Sequence, residues 1–232
     1  MAGLQTILNK CNAISIDRRK VAGIQFTRNE IPRVSLTPTK NPWRFTLKMP
    51  ASLQYYQNRD LLEALDTMDV VSPEIVTFSD NACLSWIFRY QGQLSQNQLN
   101  GLTVKNGVDA FVGNQLKITG LPVVPASRVI FEPNDLIQIG NYPYPFTSTT
   151  QVLRGTGSEV IVTTNRPNIL TASVAGLGIT VGNSCEWNMF CPNMPTYSLI
   201  PGAYVRPNGT VVNNALIEFS SDFQLYEFVG TA

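Results

Sequence analysis

Short apolar runs separated by proline and glycine fill the middle of the chain, and this punctuation restricts it to a fold made of strands. Residues 135–140 form an apolar run that ends in glycine, and residues 158–164 are dense in the β-branched residues that favour strands. Between them, Pro143 and Pro145 lie two positions apart. Because proline has no backbone N–H, we expect this piece to form a sheet edge or an extended connection. Residues 131–167 are therefore predicted to form a small β module.

The cleanest strand pattern covers residues 43–49, where apolar and polar side chains alternate without interruption. This alternation predicts one buried face and one solvent-facing face in an antiparallel sheet. Further strands are predicted at residues 74–78, 84–90, 115–121, 173–181, 185–191, 215–219 and 223–229. Only a short polar break separates the last two, so we expect them to form a hairpin.

Residues 53–69 hold the one convincing helical pattern. Leu61, Leu65 and Met68 recur at helical spacing, and Asn58 is the expected N-cap. Carboxylates recur on the other side of this helix, which is typical of a solvated face; they are Asp60, Glu63, Asp66 and Asp69. The predicted fold class is mainly β, with sandwich- or barrel-like modules, one short amphipathic helix and only minor α+β character.

Three regions follow from the distribution of these signals. Residues 1–113 are predicted to form an N-terminal β domain with one helix, and residues 114–170 an inserted small β module. Residues 171–232 are predicted to supply C-terminal strands that complete the sheet of the first domain. The first boundary rests on residues 91–113, which are rich in Gln, Asn and Gly and lack periodicity.

The composition argues against several classes of function. Charged residues make up 14% of the chain and the net charge is +1, so there is no electrostatic footprint of a nucleic-acid binder. The absence of histidine removes the commonest general base and the commonest metal ligand. The cysteines lack CxxC spacing, and we interpret them as buried reduced thiols; they are Cys11, Cys83, Cys185 and Cys191. No metal and no cofactor is expected.

The first 42 residues contain a mildly basic segment at residues 17–20, followed by Arg28 and Arg33. It is interpreted either as a contact with nucleic acid or an acidic partner, or, preferably, as a solvated loop or a charged strand edge. The N-terminus lacks the apolar core of a signal peptide, and no apolar run reaches the roughly 18 residues that span a bilayer. The sequence predicts a soluble protein made in a cytoplasm.

Several short features invite a chemical interpretation, and each has a simpler structural one. Residues 155–157 lack the lysine and helix of a phosphate loop and are interpreted as a turn. Asp135 and Glu159 are carboxylates of the kind a glycosidase uses, but nothing in the sequence pairs them. Three aromatic residues are interpreted either as an exposed platform for a sugar ring or as packing on a sheet or a partner chain; they are Tyr142, Tyr144 and Phe146.

Three blocks of the sequence follow one another. The first is the aromatic strand at residues 43–49, the LLEAL helix that begins at Leu61, and a return strand that ends at Phe78. The last covers residues 215–229 and ends in a Phe-x-Leu-x-Glu-Phe-Val motif. The middle block consists of residues 134–140, 142–146, 147–152, 155–157, 160–164 and 166–167.

This succession resembles the distal-tail and baseplate-type structural proteins of tailed bacteriophages, over roughly two-thirds of the chain. In that pattern a glycine is frequent at the position of Asn134, and residues 1–42 have no counterpart. The resemblance implies a virion tail-tip component without enzymatic activity. It would form a threefold or sixfold ring that joins the tail tube to hub or receptor-binding proteins. It also implies synthesis in the host bacterial cytoplasm and no membrane partner, with DNA passing through the ring without sequence-specific binding.

The same resemblance makes Tyr142, Tyr144 and Phe146 candidate subunit-interface residues, because a proline-marked edge with aromatic side chains suits contact with a neighbouring subunit. Two alternatives stay open. One is a carbohydrate- or receptor-binding β module of a virion, and the other is a histidine-free hydrolase.

Overall fold

The computed structural model describes residues 3–18, 22–26, 32–36, 42–51, 53–68, 72–79, 81, 84–170, 172–205 and 207–229. Strands hold 37% of the residues and helices 14%, and several of the sheets are antiparallel, which confirms the mainly-β fold class. Within the described ranges, no helix is long and apolar enough to cross a membrane.

Three α-helices, nineteen strands and two short 3-10 helices, Tyr55–Gln57 and Gly182–Ser184, make up the secondary structure of these residues. The helices are α1 Gly3–Lys10, α2 Arg59–Thr67 and α3 Gln96–Leu99. The strands, numbered β1 to β19 in chain order, are Ala13–Asp17, Ala22–Phe26, Pro32–Leu36, Arg44–Lys48, Leu53–Gln54, Glu74–Thr77, Thr103–Val104, Phe111–Val112, Gln115–Thr119, Val129–Phe131, Leu136–Ile139, Phe146–Thr147, Val152–Leu153, Val160–Thr163, Ile179–Val181, Glu186–Phe190, Tyr197–Val205, Val211–Phe219 and Phe223–Glu227. The sequence predicted the helix around α2 but neither α1 nor α3.

The chain divides into two compact units. Unit 1 comprises Met1–Asp17, Trp43–Ser85 and Asn188–Phe228, and unit 2 comprises Arg18–Pro42, Trp86–Trp187 and Val229–Ala232. The module predicted at residues 114–170 lies wholly inside unit 2. The other two predicted regions are each divided between the units.

The larger sheet of unit 1 has the strand order β1-β4-β19-β16-β6. Around β4 the predicted alternation is confirmed, because Trp43, Phe45 and Leu47 are at most 1% exposed whereas the residues between them are exposed or half-buried. On β19, Phe223 and Leu225 lie opposite Leu47 and Phe45 and are fully buried. The two strands therefore build one face of the core together.

Helix α1 packs against α2 and β6. Its buried residues include Leu4, Ile7 and Leu8. The Glu74 carboxylate accepts a hydrogen bond of 2.8 Å from the backbone N–H of Leu4, in the first turn of α1, where the helix dipole favours a negative charge.

Helix α2 begins directly after Asn58, as predicted. The Asn58 side chain does not cap the helix, however, because its amide donates to the backbone carbonyl of Gln54 at 2.8 Å. The carboxylates Asp60, Glu63 and Asp66 are exposed, which confirms the solvated face for these three; Asp69 lies outside the described residues.

The smaller sheet of unit 1, in the order β17-β18-β5, overturns the predicted hairpin of residues 215–219 and 223–229. Strand β18 pairs along its whole length with β17, whereas β19 pairs with β4 and β16. The polar break after Phe219 therefore carries the chain from one sheet to the other. The reason is that Phe223 gains complete burial beside β4, with its ring still 5.1 Å from that of Phe219.

Six strands of unit 2 form a closed ring in the order β7-β9-β14-β12-β11-β15. A bridge between Thr103 and Gly178 joins β7 to the start of β15, and a bridge between Ser148 and Thr164 joins the ends of β12 and β14. Backbone hydrogen bonds of 2.8 Å continue both seams. Unit 2 is therefore built around a small barrel, and residues 131–167 supply three of its six strands.

The barrel interior is apolar. Strand β11 is buried at every position, and the rings of Phe111 and Phe146 meet edge to face at 5.0 Å. Further core residues are Leu102, Val104, Leu116, Ile118, Phe131, Ile137, Ile139 and Val162.

Residues 84–90, predicted as a strand, form turns instead. The backbone N–H of Ser85 donates to the carbonyl of Asn81 at 3.0 Å, and that of Arg89 donates to the carbonyl of Trp86 at 3.2 Å. Leu84 is buried while Trp86 is 70% exposed, so the alternating bulky residues do not share a buried face. The alternation is also less strict than at residues 43–49, because Ile87 interrupts the polar face.

Candidate functional site

The three aromatic residues predicted at a subunit interface lie in and just before β12. Phe146 is fully buried in the barrel core, Tyr144 is 6% exposed and Tyr142 is half-buried. The alternative of an exposed platform for a sugar ring is therefore wrong for Tyr144 and Phe146, which are packed inside the protein. Barrel closure is the reason, because the bridge from Ser148 to Thr164 places this segment in the wall. Of the three, Tyr142 is the one most accessible to a partner, and its part in an interface stays a prediction.

A buried arginine holds the segment in place. Arg166 is fully buried, and its guanidinium lies 5.2 Å from the ring centroid of Phe146. Its Nη2 donates a hydrogen bond of 2.8 Å to the backbone carbonyl of Pro145. A guanidinium suits this site because it can stack on a ring and donate in its plane at the same time. Pro145 and Phe146 therefore have a structural role in the barrel.

The two carboxylates considered for hydrolysis have structural partners. Asp135 is 3% exposed and accepts hydrogen bonds from the backbone N–H groups of Gln91 at 2.9 Å and Glu132 at 2.8 Å. Burial raises the pKa of Asp135, and those N–H donors oppose the rise. Glu159 lies on the surface of the barrel, where Lys105 Nζ is 3.0 Å from its carboxylate. Each carboxylate therefore orders a part of unit 2.

Other predicted chemical features also have structural roles. The Gly155 to Gly157 segment connects β13 to β14 through a bend. The expected hairpin turn is wrong, because β13 pairs with β10 and β14 with β9. Nη1 of Arg154 donates to the carbonyl of Gly157 at 2.7 Å. Cys11, Cys185 and Cys191 are buried thiols without a disulfide, which confirms the interpretation for these three; Cys83 lies outside the described residues. Over the described part of the chain, no group of three or more metal-ligating residues of the types His, Cys, Asp and Glu occurs.

The basic N-terminal segment is described in part. Arg18 belongs to unit 2, where it donates to Thr147 Oγ1 at 3.3 Å and to Asn134 Oδ1. Arg19, Lys20 and Arg28 fall outside the described residues.

The feature that stands apart is the long hairpin of β17 and β18. Its register runs from Tyr197 opposite Phe219 to Val205 opposite Val211, so the ribbon is about 30 Å long at ~3.3 Å per residue. Strand β5 pairs with β18 only at Leu216 and Ile217. Among the described strands, none pairs with the ribbon beyond that point. We call residues 202–213 the arm.

The arm is apolar and exposed. Every arm residue with described burial is exposed, and Val205 and Val211 reach 64% and 63%. In the sequence, Arg206 is the only formally charged residue between Gly202 and Asn213. Because directly opposed residues of an antiparallel pair share a face, Val205 and Val211 form one apolar tip.

Two clefts flank the base of this hairpin within unit 1. The Met49 cleft, about 250 Å³, is lined by residues 48–51, Ile200, residues 216–219, Ser221 and Asp222. The helix cleft, about 370 Å³, is lined by Tyr55, Arg59, Leu62, Glu63, Asp66, Thr67, Tyr197 and Leu199. The base is thus open to solvent on both sides and carries further exposed apolar residues, with Leu199 and Ile200 each 44% exposed.

Sequence reasoning missed the arm although its signal is present. Asn208 and Gly209 stand between two apolar runs, which is a strong short-range indication of a hairpin. Gly209 has φ +81°, a conformation that glycine adopts without strain. Pro192, Pro195 and Pro201 obscure this signal, because proline is more typical of a loop than of a strand interior.

Comparison of the sequence with protein-family models and with curated proteins gives no match.

Proposed function

We propose that this protein is a structural component of a bacteriophage tail tip or baseplate, and that it assembles into a ring joining the tail tube to hub or receptor-binding proteins. The observation that carries the proposal is the arm. A two-stranded ribbon is marginally stable in water by itself, and exposed apolar surface of this kind marks contact with another protein. Assembly would cover the valine tip and the base of the hairpin together.

The low charge of the chain supports assembly independently. Only 14% of the residues are charged, against roughly a quarter in typical globular chains. Charged residues are depleted at the centres of protein interfaces, and the arm follows this rule with a single formally charged residue. So low a content of charged residues fits a protein whose surface is largely covered by neighbouring subunits.

One residue supports the resemblance to tail proteins at the level of the backbone. Asn134 stands where that pattern has a glycine, and its φ is +74°. Glycine adopts this conformation freely, and asparagine is one of the few other residues that tolerate it. The sequence pattern and the backbone conformation therefore agree at this position.

The burial and contacts of the residues that suggested the two alternative functions weaken the case for both. Carbohydrate binding was based on exposed aromatic residues, and Tyr144 and Phe146 are buried. Hydrolysis was based on Asp135 and Glu159, which bind backbone N–H groups and a lysine respectively. Neither alternative has a second observation in its favour.

Native mass spectrometry of the purified protein, with proteomics of purified particles of the encoding phage, tests the proposal. We expect a closed trimer or hexamer and a constant stoichiometry in the particles. A protein that stays monomeric at all concentrations and is missing from the particles would contradict it.

A further inference from the structure

We propose that the valine tip of the arm in one copy inserts into the Met49 cleft of the next copy. This inference rests on the proposed assembly into a ring and names the contact that closes it. The partner is thus a second copy of the same chain.

The apolar surfaces of the tip and the cleft match. Val205 and Val211 are more than 60% exposed at the tip. In the Met49 cleft, Ile200 and Leu216 lie opposite each other on the sheet and are 44% and 40% exposed. Insertion would remove both pairs from water at once, with a gain that scales with the apolar area buried. Of the eleven residues that line the cleft, seven are apolar, whereas the helix cleft is lined by two aliphatic residues and two tyrosines out of eight.

The charges of the two surfaces are also complementary. In the sequence, Arg206 follows Val205 directly and gives the arm a net charge of +1. Glu218 and Asp222 bring two exposed carboxylates to the Met49 cleft against the single ammonium of Lys48. An excess of negative charge beside an apolar wall suits an arm whose sequence contains one arginine and no acidic residue.

The positions of tip and cleft favour a ring. They lie at opposite ends of one hairpin and use different faces of it, because Val205 is offset from Ile200 by five positions along β17, and an odd offset places two strand residues on opposite faces. The tip cannot reach the cleft of its own chain without folding the ribbon back. Contact between different patches on successive copies is heterologous, and such contacts close into rings when the rotation between copies permits.

Cross-linking between two engineered chains tests the contact. One chain carries Val205→Cys and the other Ser221→Cys, which places the second thiol on the exposed lining of the Met49 cleft. A matched control replaces the second chain with Thr67→Cys, in the exposed lining of the helix cleft. Wild-type protein controls for the native cysteines. We expect a disulfide-linked dimer in the first mixture under mild oxidation, and none in the control mixture or in either chain alone.

The outcomes separate this inference from the proposed function. Wild-type rings together with a Val205–Thr67 link, a Val205–Val205 link or no link at all would overturn the contact and leave the ring intact. Wild-type protein that forms no oligomer would overturn the ring itself.

A charge exchange gives a second test that does not depend on oxidation. Arg206→Glu is expected to raise the concentration needed for assembly about tenfold, and Asp222→Arg in the same chain is expected to restore it. The control is Val112→Asp, at a valine 59% exposed on unit 2, which should leave assembly unchanged. Equal weakening by Arg206→Glu with and without Asp222→Arg would contradict the contact.

Discussion

Trp43 and Glu227 exchange two hydrogen bonds although 184 residues separate them in the chain. The backbone N–H of Trp43 donates to Oε2 of Glu227 at 3.0 Å, and the backbone N–H of Glu227 donates to the carbonyl of Trp43 at 2.9 Å. Glu227 is only 4% exposed. A buried acidic side chain therefore joins the start of the second segment of unit 1 to the end of the third.

This pairing predicts that the acceptor at residue 227 matters for stability. Glu227→Leu should lower the free energy of unfolding by about 1–3 kcal/mol, because it leaves the buried N–H of Trp43 without that acceptor. Glu227→Gln keeps an oxygen in place and should cost less. Urea denaturation of the two variants measures the difference, and equal losses would show that the hydrogen bond is not the cause.

Arg166 leads to a prediction about the barrel. Arg166→Ala removes a fully buried side chain, its contact with Phe146 and its hydrogen bond to Pro145. We expect a loss of about 2–4 kcal/mol, from the cavity and the lost donor. Arg166→Lys keeps the charge but not the planar donor, so it should fall between alanine and wild type.

A matched control for this prediction is Arg128→Ala, which truncates an exposed arginine of the same unit. It should change stability by no more than about 0.5 kcal/mol. Thermal denaturation followed by circular dichroism compares the variants. If Arg166→Ala has the same melting temperature as Arg128→Ala, the buried guanidinium does not hold the barrel segment.

Residues 43–49 show which features of the fold can be predicted from the sequence. The alternation at residues 43–49 was predicted correctly because a period of two with large apolar side chains on one face has few alternatives. The fold class followed from the same kind of local signal. Such patterns lie within a single strand and its turns, so they can be recognised in the sequence without knowing which strands pair with it.

The errors arise where long-range pairing decides. The polar break at residues 220–222 is compatible both with a hairpin and with a crossing between sheets, and the burial of Phe223 beside Leu47 selects the crossing. Tyr144 and Phe146 carry the marks of an edge, but the bridge from Ser148 to Thr164 closes the barrel across that edge. A local sequence pattern does not determine which sheet edge will pair with another strand.

Asp109 leads to a prediction about acid stability. Lys117 at 2.6 Å, and then Lys105 at 3.1 Å, hold the pKa of the Asp109 carboxyl at about 2, below its usual range. A carboxyl with a depressed pKa contributes stability above its unfolded-state pKa of about 3.9 and loses it as the pH falls through its folded pKa. Asp109→Asn should therefore flatten the decline in stability between about pH 4 and pH 2.

Urea midpoints measured across this pH range test the effect. Asp109 and its two lysines are solvent-accessible, so the difference between Asp109→Asn and wild type should shrink in about 1 M salt, where screening is strong. Asp135 cannot cause this decline in stability. Its pKa is raised in the folded protein, and a carboxyl with a raised pKa makes the folded state more stable as the pH falls. Parallel curves for Asp109→Asn and wild type at low salt would contradict the role of the lysines.

Two glycines of the arm give a matched pair of substitutions. Gly209 has φ +81°, in the left-handed region, whereas Gly202 lies in β17 without a positive φ and with open space where a Cβ would be. Gly209→Ala should weaken the turn by about 1 kcal/mol, because alanine is strained in that conformation. Gly202→Ala should be neutral or slightly stabilising, because it restricts the unfolded chain.

Hydrogen exchange monitored by mass spectrometry over residues 197–219 distinguishes the two variants. Gly209→Ala should speed exchange in the peptides from the arm, while the base stays protected by its pairing with β5 and by the contact of Phe219 with Phe223. The same variant should also weaken assembly, because a frayed hairpin no longer presents Val205 and Val211 together. Faster exchange with undiminished assembly would mean that the arm lies outside the contacts that hold the copies together.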